Sequence, residues 1–207
     1  QIKQDCKRVS PGSVATRLGV SPGSVTSMLK TLSEAGLADY IPYEGVALSE
    51  PGRRLAMRVL RRHRLIELFL NNTLNMTWDQ VHDEAEILEH AVSDVLIDRI
   101  DDYLGHPETD PHGAPIPAAD GELRGASSPL SLDMCDAGEC VRFLQVVNQE
   151  PGFLRYLSES GFELGAVGTV IATNEDGGVI NVSINDLPFT VGYDAANTIR
   201  VERVNSV

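Results

Sequence analysis

The chain has 207 residues, an ordinary apolar fraction of 42%, three cysteines and a formal net charge of -13. That length supports one large domain or two small ones with a real core, and the composition excludes bulk disorder. No apolar run approaches the roughly 20 residues that span a bilayer and no signal-peptide core is present, so no membrane role and a reduced, cytoplasmic setting are expected.

The charge is unevenly spread. Residues 1–64 hold eleven Lys or Arg against five Asp or Glu, and the remainder holds six against twenty-five. A basic end that can approach phosphates is thus joined to an acidic body that repels them, which predicts weak nonspecific binding to nucleic acid.

Ser10-Pro11-Gly12-Ser13 opens a short helix with an N-cap and Pro at the first helical position, and Gly19 stops it. Ser21-Pro22-Gly23-Ser24 repeats the opening, followed by Val25, Met28, Leu29 and Leu32 at helical spacing up to Gly36. Two helices across a Gly-containing turn match a helix-turn-helix, whose second helix would enter a major groove. The period then changes: Leu37–Ile41 and Val46–Leu48 flank Pro42-Tyr43-Glu44-Gly45, a hairpin in the position of a wing.

A long amphipathic helix is expected from Gly52 to about Leu70, and Thr77-Trp78-Asp79-Gln80 reads as a capping box opening a second long helix that runs to near Gly105. Their surplus of apolar surface points to a homodimer interface. Residues 105–131 are rich in Pro and Gly, a linker or irregular wrap. Beyond Cys140, five short strands and one helix, Gly152 to Ser160, suggest a small barrel. The fold expected is mainly α with a small β C-terminal domain. It divides into a winged helix-turn-helix (1–51), a helical dimerisation domain with its Pro-rich linker (52–131) and an SH3-like barrel (132–207).

The stretch HDEAEILEH concentrates ligand-type side chains. At about 100° per residue, His82, Glu86, Glu89 and His90 share an arc of roughly 100°, while Ile87 and Leu88 lie elsewhere. His63 and Glu67, four apart on the preceding helix, can meet this face across a helix pair. Imidazole and carboxylate donors without Cys suit Mn(II) or Fe(II). The same spacing also describes a solvated amphipathic face. No H-E-x-x-H, G-x-S-x-G or P-loop motif is present, and His112 in DPHG, between Pro111 and Gly113, reads as structural.

Taken together, SPGSVTSMLKTLSEAGL, RRHRLIELFL, VHDEAEILEHAVSD, GHPETDPHGAPIP and VRFLQVV…TIRVE resemble the diphtheria toxin repressor family of metal-dependent transcriptional regulators over nearly the whole length. The resemblance implies a homodimeric repressor of a palindromic double-stranded operator, with two cations per subunit. His63, Glu67 and His82 match the family's ancillary site, and Glu86, Glu89 and His90 its primary site. Glu86 stands where the iron-responsive branch carries Cys and the manganese-responsive branch Glu. In the manganese branch His63 would join Glu86, Glu89 and His90. Ser21, Gly23, Ser24, Thr26 and Ser27 would face DNA, with charge added by Arg17 and Lys30. Since the helix front lacks Arg, Asn and Gln, specificity would lean on DNA shape and half-site spacing.

Three departures accompany the match. Gln1 stands near where the family's first helix should end. The family's C-terminal-domain ligands fall near Asn148–Pro151, where Glu150 is a weak candidate. The wing tip carries Glu44 in place of a basic residue. For the SH3-like module two roles stay open: an intramolecular contact with the Pro-rich residues 107–117 that tunes activation, or a domain that only stabilises the dimer or caps the ancillary site. Two other readings remain at this point: a dinuclear metalloenzyme built on the helix pair, and a metal-independent winged-helix regulator.

Overall fold

The computed structural model describes residues 8–123, 129–174 and 177–204. Cys6, Gly125 and the stretch around Gln1 lie outside the described residues. The chain divides into two compact units, one reaching Val59 and the other beginning at Leu60.

In the first unit, α1 (Pro11–Leu18) and α2 (Pro22–Glu34) start where their Ser-Pro-Gly-Ser openings predict: Ser10 and Ser21 accept from the backbone N–H of Ser13 and Ser24, each at 3.1 Å. Strands β1 (Ala38–Ile41) and β2 (Gly45–Leu48) pair antiparallel as the wing. A third segment joins them, because Val9 exchanges two backbone hydrogen bonds with Val46, both 2.9 Å. Ala15, Val25, Leu29, Ala38 and Val46 form the small core of this unit. Helix α3 (Glu50–Leu74) begins against the wing, and a Cβ on Gly52 would stand 1.8 Å from the Leu37 carbonyl oxygen, so only glycine fits there.

In the second unit, Leu65, Ile66 and Leu70 of α3 pack with Val81 and Ala85 of α4 (Trp78–Glu89) and with Ile97 and Ile100 of α5 (Asp94–Leu104). The sequence reading ran α4 and α5 together as one helix to Gly105; the structure breaks it at His90–Ser93. Ser93 takes an extended conformation and its hydroxyl accepts from Leu96 N at 3.3 Å, so a local N-cap outcompetes helix continuation. The capping box at Thr77 holds: Gln80 Oε1 accepts from Thr77 N at 3.2 Å.

Residues 106–118 run as an irregular but packed wrap. Ile116 enters the helical core, and the carbonyls of Pro115 and Pro117 accept from Arg64 and Arg61. The C-terminal part is a six-stranded antiparallel sheet ordered β3 (Leu130–Ser131), β8 (Ile199–Val204), β4 (Cys140–Val146), β5 (Val167–Asn174), β6 (Val179–Ile184) and β7 (Leu187–Gly192). The short edge strand β3 adds to the five that the sequence predicts. Helix α6 (Pro151–Glu159) contributes Leu154 and Leu157 to the core around Phe143 and Phe189.

Candidate metal centre

Two ligand clusters meet at one carboxylate, Glu67, which the amphipathic pattern of α3 buries almost completely on its core side. The first cluster is the one the helix spacing predicts. Glu67 Oε1 lies 3.0 Å from His63 Nε2 and 3.2 Å from His82 Nδ1, and His63 Nδ1 lies 2.9 Å from Glu89 Oε2. The two imidazoles meet edge to face at 4.9 Å. Burial disfavours the charged form of His63, but hydrogen bonds and charge from Glu67 and Glu89 outweigh it and raise its pKa above the ordinary value. Burial likewise pushes Glu67 up, and the His63, His112 and His82 contacts bring it net down.

Glu86 and His90 sit at the rim of this cluster. The Glu86 carboxylate is exposed, 3.9 Å from His82 Nε2, and the exposed His90 reaches Glu89 at 3.4 Å. His63, Glu67, His82 and Glu89 are thus drawn together, whereas Glu86, Glu89 and His90 do not converge on one point as a trio. Glu150 lies apart from the cluster's hydrogen bonds. It lines, with His82, Asp79, Asp83, Asn148 and Gln149, a cleft of about 310 Å³ between α4 and the loop preceding α6.

The second cluster was not foreseen. Glu67, Asp110 and His112, all buried, bring their ligand atoms within 4.8 Å of one another. His112 Nε2 stands 3.2 Å from the Trp78 carbonyl oxygen, to which it can only donate, so the neutral ring presents its lone pair at Nδ1. That Nδ1 has no hydrogen-bond partner and faces Glu67 Oε2 at 4.0 Å. Asp110 spends Oδ1 on its own loop, accepting from His112 N at 2.8 Å and Ala114 N at 2.9 Å, while its buried Oδ2 has no hydrogen-bond donor. Arg64 Nε approaches Oδ2 only to 3.6 Å. Burial, with the Glu67 charge beside it, pushes the Asp110 carboxyl up beyond what the Ala114 amide and the Arg64 guanidinium offset.

Two orphaned acceptors facing a third are the arrangement a cation resolves, since a buried polar group without a partner costs about 1–3 kcal/mol. The donor set, carboxylate and imidazole without thiolate, suits Mn(II) or Fe(II). The available signal was the D-x-H spacing of Asp110 and His112. In a Pro-rich stretch without helical period, nothing linked it to Glu67 more than forty positions away.

On the first unit, Arg17, Ser21, Gly23, Ser24, Ser27 and Lys30 are exposed on α1 and α2, and Thr26 is half-buried. Ser21 shares its hydroxyl with Ser24 at 2.8 Å, and Thr26 Oγ1 donates to the Pro22 carbonyl at 2.9 Å, so part of their capacity is spent inside the helix. Exposed Met28 adds apolar surface to the same helix.

Comparison with known proteins settles the class. Domain models described as the N-terminal DNA-binding domain and the metal-binding and dimerisation domain of iron-dependent repressors match residues 1–46 and 49–118, and a FeoA domain matches residues 130–203. The diphtheria toxin repressor of Corynebacterium efficiens is 30% identical over 206 residues, covering 94% of this chain and 87% of the relative. The chain belongs to the diphtheria toxin repressor family. The iron-dependent repressor IdeR of Mycobacterium tuberculosis is also 30% identical, across 92% of this chain and 87% of its own length. A manganese-dependent transcriptional repressor solved in complex with manganese is 41% identical and superposes with a TM-score of 0.87 over 95% of this chain and 91% of that one. ScaR solved with bound Zn2+ is 30% identical with a TM-score of 0.80, covering 96% and 93%. The family consists of metal-dependent, dimerising DNA-binding repressors and not of enzymes, which removes both the metalloenzyme and the metal-independent readings. Among the described residues no helix is long and apolar enough to cross a membrane.

Proposed function

We propose that this chain is a cytoplasmic, manganese-activated repressor of a palindromic operator, with Fe(II) the competing activator. The observation that carries the proposal is the pair of buried acceptors without hydrogen bonds, His112 Nδ1 and Asp110 Oδ2, beside Glu67. On this reading Glu67, Asp110 and His112 hold one cation. His63, His82, Glu86 and Glu89 hold a second, with His90 at its rim and Glu150 a peripheral contributor. A bound divalent cation supplies the positive charge that lets these carboxylates crowd together.

The residues themselves do the positioning. The Trp78 carbonyl holds the His112 tautomer, and the Asp110 turn aims its second oxygen inward. Glu67 offers one oxygen to each cluster. Ordering α3, α4 and the 106–118 wrap around the clusters favours the dimer spacing that fits two half-sites. A cation bound 100-fold more tightly by that state shifts the equilibrium by about 2.7 kcal/mol. Exposed Ile87, Val95, Leu96 and Tyr103 on α4 and α5 supply apolar surface for the dimer face. Arg17, Lys30 and the hydroxyls of Ser21, Ser24, Thr26 and Ser27, with the close backbone at Gly23, would contact phosphates and a few base edges. The functional parts follow residues 1–51, 52–131 and 132–207.

Fluorescence anisotropy of DNA from upstream of the chain's own gene tests this reading, with Mn(II), anaerobic Fe(II) or chelator present. Tight binding only with metal, strongest with Mn(II) and lost in Glu67→Gln, is the expected result. Equal binding in chelator would overturn it.

A further inference from the structure

The loop bearing Asp110 and His112 is tied to the C-terminal sheet by backbone alone. The His112 carbonyl accepts from Val146 N at 2.8 Å, so the residue that offers its ring to Glu67 is anchored from behind by β4. Next to it Gly113 adopts φ +81 and lies so close to the strand that a Cβ would stand 2.0 Å from the Leu144 carbonyl oxygen and 2.9 Å from Gln145 Cα. Both of those neighbours are main chain and cannot swing aside.

The strand is shaped to match. Pairing of β4 with β8 shifts between Phe143 and Gln145, leaving Leu144 as the bulged residue where Gly113 arrives. Bulges re-aim a strand locally, and here the irregularity coincides with the contact. On its other side the loop closes on itself, with Asp110 N donating to the Ala114 carbonyl at 2.9 Å and Gly113 N to the Asp110 carbonyl at 3.0 Å. A compact turn thus sits between the bulge, met by Gly113, and the Trp78 carbonyl, met by the His112 ring.

We propose that the Leu144 bulge, approachable only because residue 113 is glycine, is the positioning element for the His112 ligand. Through it the C-terminal sheet sets the affinity of the buried metal cluster without lending that cluster a side chain. The proposal rests on the reading that Asp110 and His112 hold a cation. Ligands must be held within about 0.5 Å of a productive geometry, and a turn lifted off β4 by one methyl group moves farther than that. Gly113 and Leu144 are positioning residues, acting through His112.

The test uses the full chain and Mn(II) itself. Trp78 is the single tryptophan, its ring 5.9 Å from that of His112, so paramagnetic Mn(II) in the buried cluster quenches its emission. Gly113→Ala is expected to weaken the saturable quenching at least about 10-fold, the scale seen when a ligand's support is removed. Gly105→Ala has a similar φ of +75 with nothing within 4 Å of its Cβ; it carries the backbone strain without the clash and should leave quenching unchanged. In the wild type, Mn(II) should slow hydrogen exchange at the Val146 amide while leaving Val182 on β6 indifferent. That measurement decides the matter even if Gly113→Ala fails to fold. Saturable quenching of equal affinity in folded Gly113→Ala, or Val146 exchange unmoved by bound Mn(II), would overturn the positioning role alone. No saturable quenching in the wild type would overturn the ligand assignment and this proposal with it.

Discussion

The two clusters that share Glu67 use the same chemistry and differ in what they do without a cation. In the half-exposed cluster, His63, His82, Glu67 and Glu89 satisfy one another at 2.9–3.2 Å. In the buried cluster, His112 Nδ1 and Asp110 Oδ2 find no donor. A cation entering the first exchanges existing hydrogen bonds for metal bonds, and one entering the second relieves acceptors without hydrogen bonds, Asp110 Oδ2 having only the Arg64 guanidinium at 3.6 Å. The buried cluster should therefore fill first, and the half-exposed one later and with stronger dependence on pH. Proximity of ligand types is thus a weaker indicator of metal demand than the state of their lone pairs.

The largest effect should come from removing what the clusters share. Glu67→Gln keeps the shape but loses the charge facing both, and should lower affinity for every Mn(II) equivalent by more than about 100-fold, as read by electron paramagnetic resonance of free Mn(II). If one tight equivalent survives, the clusters do not depend on a common carboxylate.

Next in size, Asp110→Asn retains the oxygen that closes the loop and removes the charge on the orphaned one. It should erase the tighter equivalent, about 10- to 100-fold, and spare the weaker. Glu89→Gln should do the reverse, weakening only the looser equivalent by about 10-fold. A double variant, with the two losses adding, would sharpen the comparison; strong non-additivity would mean that the clusters fill as one unit.

The smallest effect is the pH response. His63, held above its ordinary value of 6.5 by Glu67 and Glu89 despite burial, must lose a proton before it can ligate. Metal uptake by the half-exposed cluster should weaken as pH falls through that raised pKa, and titration calorimetry at pH 7 in buffers of differing ionisation enthalpy should register proton release. For the metal-free chain the sign is opposite. The stabilisation from protonated His63 is complete below pH 6.5 and is lost as pH rises through the raised value. The corresponding check is a melting temperature of the chelated protein that is lower at pH 8.5 than at pH 6, with that difference reduced in His63→Gln.

Much of this was readable in the chain. The repeated Ser-Pro-Gly-Ser openings locate α1 and α2, because a side-chain cap and a fixed proline φ act locally. The i, i+4 placing of His63 with Glu67 and of His82 with Glu86 puts ligands on facing helices, and three of these four do meet. Periodicity was silent on Asp110 and His112, which reach Glu67 through a turn with no repeat, and it overran the break at Ser93, where one hydroxyl redirects the chain. Glu86 and His90 share the predicted arc, yet Glu86 stays exposed within α4 and His90 falls just past its end at Glu89, leaving both at the rim. An arc describes direction and says nothing of depth.

The pairing of Val9 with Val46 has a practical side. Arg8 Nη1 also donates to the Asp39 carbonyl at 2.7 Å, so the chain ahead of α1 is stitched along the wing hairpin. A dye placed at Arg8 or Val9 would therefore sit beside the element expected to lie along DNA, and would crowd the very encounter it was meant to report. An exposed position on the C-terminal sheet, such as Ile171, keeps a dye off that hairpin.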